Sequence, residues 1–130
     1  MPITYTRDDA RGRIDVVLTG VVTLADVLAI VDRQADEGTW SYAVYYDARG
    51  IARGQSGSPD EARALAQHVA ARGKALGPRG PVAVVTDNLA YYAIVRLYSA
   101  LGASAHFTVE AFRDAGMKVI QLQSPPEWAD

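Results

Sequence analysis

The chain reads as an α/β domain, a two-layer or sandwich arrangement with a mixed, mostly parallel sheet of about five strands and about four helices. Three observations carry that prediction. Two alternating segments near the amino terminus are separated only by a glycine-containing turn, which indicates an antiparallel hairpin. Helix-patterned and strand-patterned segments then alternate, which implies parallel strands joined by right-handed crossovers. Two short segments, Tyr42–Tyr46 and Val82–Val85, are apolar or aromatic on both faces, as interior strands covered on both sides are.

The first strand runs over Ile3–Asp8, with Ile3 and Tyr5 on one side and Thr4 and Thr6 on the other. Asp9 to Gly12 forms the turn, and Arg13–Val21 returns with Ile14, Val16 and Leu18 on one face. Thr23 starts the first helix: its hydroxyl accepts a first-turn N–H, and Asp26 suits the positive end of the dipole. Leu24, Val27, Leu28 and Val31 keep helical spacing, while Asp32, Arg33 and Gln34 are expected to point away. Gly38 closes that helix, and Trp40 plugs the core beneath the returning chain.

Tyr42–Tyr46 is the expected central strand, running into a glycine-rich loop. Ser58, Pro59 and Glu61 are an N-cap, a first helical residue and the end of a capping box. Ala62, Leu65, Ala66, Val69 and Ala70 make the buried stripe of the second helix, which Gly77, Pro78, Gly80 and Pro81 end. Val82–Val85 is the fourth strand. Thr86-Asp87-Asn88 caps a third helix whose stripe is Ala90, Ile94, Leu97, Tyr98 and Leu101, stopping at Gly102. His106–Val109 is the expected fifth strand, Phe112 to about Leu122 the last helix, and residues 123–130 an extended tail.

At 130 residues the length fits one domain, 1–130, with a single core. The formal net charge of -2 comes from scattered residues, so no basic field draws nucleic acid. Cysteine is absent, which removes disulfide and thiolate chemistry and fits a cytoplasmic protein. The amino terminus enters a strand pattern with no signal-peptide character, and no apolar run has the length of a membrane span. Peripheral membrane contact stays open.

Certain phrases resemble the SpoIIAA-like branch of the STAS superfamily. They are the hairpin opening Ile3-Thr4-Tyr5, the run Leu18 to Leu24 entering the first helix, Tyr46-Asp47-Ala48-Arg49-Gly50, and Val109 through Phe112-Arg113-Asp114. The likeness covers nearly the whole chain and implies a small αβ domain that is not an enzyme. In regulatory STAS members a serine just after the central strand is phosphorylated. Here Asp47 is followed by Ala48, Arg49 and Gly50, and the nearest serines are Ser56 and Ser58. The departure speaks against an anti-sigma-antagonist role. What the resemblance implies instead is binding of lipids or other apolar ligands.

Candidate chemistry gathers at the carboxyl ends of the parallel strands, where open α/β sheets hold ligands. Asp47, Arg49, the loop residues Gln55, Ser56 and Ser58, and Asp87 with Asn88 fall there. The plain alternative is a turn and two helix caps; the loop has no Walker-type lysine or spacing. On the third helix, Tyr91, Tyr92 and Val95 lie beyond the core stripe. They need a cover: a second copy in a homodimer, an apolar ligand, or a sibling helix. His68 and His106 have no partner spacing and read as structural, with no metal or cofactor site implied. Arg72, Lys74 and Arg79 read as cations complementing a helix carboxyl end. The expected role is therefore a non-catalytic binding domain for a small apolar or lipid-like ligand. Its polar end should lie near Asp47, Arg49 and the Gln55–Ser58 loop, with Tyr91 and Tyr92 as an apolar wall. A ligand-free homodimeric interaction module is the alternative, and a small hydrolase would need a cleft that no motif announces.

Overall fold

The computed structural model describes residues 3–52, 57–86, 89–102 and 109–113, omitting the side chains of 89–92, 99 and 109–113. β1 (Ile3–Asp8) and β2 (Arg13–Gly20) form the hairpin, followed by α1 (Leu24–Asp36), β3 (Ala43–Ile51), α2 (Pro59–Leu76), β4 (Val82–Thr86), α3 (Leu89–Gly102) and β5 (Val109–Arg113). The sheet has the spatial order β1-β2-β3-β4-β5, with β3 central. Among the described strands only the β1–β2 pair is antiparallel. Each crossover moves one strand further along and none turns back, so connections of one hand place α1, α2 and α3 on the same face.

The core sits between that face and the helices. Ile14, Val16 and Leu18 of β2, Val44, Tyr46 and Ala48 of β3, and Val82 and Val84 of β4 alternate inward. They meet Ile30 and Val31 of α1, Ala62, Ala66 and Val69 of α2, and Val95 and Tyr98 of α3. On the opposite face Ala43, Ala83 and Val85 are buried too, with Tyr45 packed against them.

The local signals work as chemistry requires. Thr23 accepts from the Asp26 N–H while the Asp26 carboxylate accepts from the Thr23 N–H, closing a full capping box. Ser58 accepts from the Glu61 N–H and Pro59 opens α2, but only this half of the expected box forms; the Glu61 side chain lines a cavity instead. Trp40 is buried and donates its indole N–H to the Gly77 carbonyl at 2.9 Å.

Four expectations need correction. β3 does not stop at Tyr46 but continues to Ile51, because Gly50 and Ile51 pair with Thr19 and Gly20 past a bulge in β3, where the step from Asp47 to Gly50 opposes the shorter one from Val17 to Thr19. A Cβ on Gly50 would stand 2.9 Å from the Thr19 methyl, so the close approach of the two strands uses its bare backbone. Phe112 and Arg113 begin no helix: they end β5, whose residues pair with β4 up to Thr86↔Arg113. The Val109–Arg113 segment satisfies its backbone against an open sheet edge, a partner that helical periodicity cannot reveal. Gln34 points inward, 1% exposed, and Val95 belongs to the core rather than to an outer face of α3. The expected last helix beyond residue 113, residues 103–108 with His106, and the 123–130 tail lie outside the described residues.

Candidate functional site

A cavity of about 380 Å³ lies between the sheet and the helical layer. Its floor includes Leu18, Tyr46, Val82 and Val84, from three adjacent strands. Val27 and Val31 of α1, Ala62 and Leu65 of α2, and Ile94, Val95 and Tyr98 of α3 make the walls and roof. The space exists because the inner stripe of α2 is built largely of alanine, and a methyl group cannot fill the gap that a helix axis leaves above a sheet.

The two ends differ. At the carboxyl edge of the sheet the lining residues Val22, Leu24, Ile51 and Glu61 are half-buried, while Thr23 and Gly57 are exposed. This is the mouth. The other end, at the amino edge, is closed by Arg79, which is 6% exposed. Arg79 does not decorate the carboxyl end of α2, as its position beside Lys74 had suggested. Its Nε and Nη2 donate to Gln34 Oε1 at 3.1 and 2.7 Å, and Nη2 also donates to the Tyr46 hydroxyl at 3.4 Å. The Trp40 ring stands 5.4 Å from its Cζ. Gln34 is held in turn, its amide donating to the Thr39 carbonyl at 2.9 Å. Burial pushes the Tyr98 phenol far above its ordinary range, with the neighbouring Arg79 charge opposing that rise, so Tyr98 stays a neutral hydroxyl.

Of the sequence-selected residues, Asp47 and Arg49 are brought together on the sheet face that looks away from the helices. Arg49 donates from Nε and Nη2 to the two Asp47 carboxylate oxygens at 2.9 and 2.8 Å, which holds Asp47 below the usual carboxylate range. Alternation explains Asp47, which lies between the inward-facing Tyr46 and Ala48, and the ion pair keeps Arg49 beside it; the bulge that follows returns Ile51 to the cavity side. Ser58 caps α2 near the mouth without lining the cavity. Gln55, Ser56, Asp87 and Asn88 lie outside the described residues, as do the side chains of Tyr91 and Tyr92 in the first turn of α3.

His68 gains a partner that sequence spacing did not show. Its Nε2 lies 2.7 Å from Asp32 Oδ1, to which Arg72 also donates at 2.8 Å, joining α2 to α1. The cluster sits at the surface, away from the cavity lining. Among the described residues no group of three or more His, Cys, Asp or Glu side chains gathers to hold a metal. Among the described residues, no helix is long and apolar enough to cross a membrane. The residues that sequence reasoning missed are Gln34 and Arg79. The one available signal was an arginine isolated between two Gly/Pro pairs, Gly77-Pro78-Arg79-Gly80-Pro81, where no helix face remains to solvate it.

No protein-family model matches the chain, and neither a curated protein nor a solved structure matches it at a significant level.

Proposed function

We propose that this protein is a non-catalytic binding domain for a small, largely apolar ligand held between its sheet and its helices. The observation that carries the reading is the interlayer cavity of about 380 Å³, walled by aliphatic and aromatic side chains and open at the carboxyl edge. That volume falls within the roughly 300–1,000 Å³ typical of small-molecule sites. The mostly apolar lining with a few polar groups at its ends is the composition such sites have. The likeness of the chain to the SpoIIAA-like branch points to the same ligand class.

The test uses decanol as a neutral probe. One decanol per chain is expected in native mass spectrometry, with a thermal shift that rises with concentration. At a hundred times Kd, linkage supplies about 2.7 kcal/mol of added stability. Ala62 is 3% exposed and lines the cavity, so Ala62→Leu places three further carbons in it. The variant is expected to stay folded and to lose decanol affinity by about tenfold or more. Absence of decanol binding by the wild-type chain, or unchanged affinity in a folded Ala62→Leu variant, overturns the proposal.

A further inference from the structure

At the closed end of the cavity stands a charge that no described residue balances. Arg79 is 94% buried, and every group that contacts its guanidinium among the described residues is neutral: the Gln34 amide oxygen, the Tyr46 and Tyr98 hydroxyls and the Trp40 ring. Among the described residues no carboxylate forms an ion pair with it. Buried cations are ordinarily paired, because removal from water is compensated only by an opposite charge in good geometry. The carboxylate on the cavity wall, Glu61, stands instead in the first turn of α2 at the mouth.

From this juxtaposition we infer that the cavity selects an apolar monocarboxylate, bound head-first, with its carboxylate on Arg79 and its tail running toward the mouth. The inference deepens the binding function proposed above and rests on it. Arginine suits the task, since its planar fork matches a carboxylate and stays charged when buried. Tyr98, kept neutral by burial, supplies a hydroxyl at the same end, and Tyr46 a second one. Gln34 and Trp40 act as positioning residues: the amide oxygen fixes the guanidinium plane from behind, and the indole is itself anchored to the Gly77 carbonyl. A bulky headgroup is excluded, because the head must travel the length of an apolar passage to reach a closed end. A cationic head is excluded by repulsion from Arg79. At the mouth, Glu61 disfavours the reverse orientation of the anion.

The experiment compares three probes of one chain length, decanoate, decanol and decylammonium, by calorimetry at neutral pH below their aggregation limits. The intact chain is expected to bind decanoate at least about tenfold more tightly than decanol, and decylammonium more weakly than either. Arg79→Met removes the charge at similar length and is expected to erase the preference for decanoate over decanol. Arg79→Lys, which keeps a charge without the fork, is expected to keep part of the preference. The wild-type comparison needs no variant to fold. Equal affinity for decanoate and decanol overturns the head-first assignment and leaves the cavity as a binding site. A decanoate preference that survives in a folded Arg79→Met variant overturns the role of Arg79. Failure of all three probes to bind removes the site itself.

Discussion

The two glycines Gly73 and Gly80 separate two uses of the same residue. A Cβ on Gly80 would collide with the backbone carbonyls of Ser41 and Tyr42, so the chain returning from Trp40 passes directly over it. Gly80 also donates its N–H to the Trp40 carbonyl at 3.0 Å, fixing the segment that carries Arg79. Gly73 lies inside α2 with nothing near its missing Cβ. Gly80→Ala is therefore expected to destabilise by about 1–3 kcal/mol through backbone displacement. Gly73→Ala is expected to stabilise by about 0.5–1 kcal/mol by narrowing the unfolded ensemble. Urea denaturation of both variants reads the opposite signs. Part of this was legible: the Gly-Pro repeat marked a helix end. That Gly80 is a crossing point was not, because the obstructing atoms belong to residues about forty positions earlier.

Between elements, the surface link of α1 to α2 through Asp32 has a pH signature. Asp32 accepts from Arg72 and stands against His68, and this lowers its pKa, the His68 contact contributing most. A depressed carboxylate contributes stability that is present above its unfolded value, roughly 3.9, and is lost as pH falls through its folded value. The wild type is thus expected to lose stability relative to Asp32→Asn as pH drops from about 4 toward 2. Both partners are more than a third exposed, so the effect is modest and salt-sensitive. Urea midpoints of the two proteins across that window check it; parallel pH profiles would count against the link. The caps on these helices could be read from Thr23, Asp26, Ser58 and Pro59, since a cap involves residues within one turn. The Asp32–His68 contact could not, since it joins residues 36 apart.

Across the whole molecule the sheet sets a gradient of protection. Tyr45, Tyr46 and Asp47 of β3 pair with β2 on one side and β4 on the other, while β1 lies at the edge of the sheet with β2 as its neighbour. Amides in the middle of β3 are expected to exchange only on global unfolding, and half of those in β1 on local opening, faster by orders of magnitude. Hydrogen-exchange mass spectrometry that found β1 as protected as β3 would contradict the topology. The uniform strand order also explains where the cavity lies. A doubly wound sheet opens a crevice where its order reverses, and the described strands of this sheet show no reversal. The space is instead between layers, above Tyr46 and Val84 and beneath the alanine stripe of α2.

The sequence by itself determined the hairpin, the central position of the Tyr42–Tyr46 strand, the helix starts at Thr23 and Ser58, and the alternation that makes the sheet parallel. These follow from contacts within a few residues and from the two backbone periodicities. It did not determine which polar side chains turn inward. Only the tertiary structure placed Asp47 and Arg49 on the far face of the sheet, and only it joined Gln34 to Arg79, 45 residues apart, behind an apolar cavity. Burial of a charge is a property of the space around it, and that space is enclosed by three helices and a sheet that meet only when the chain is folded.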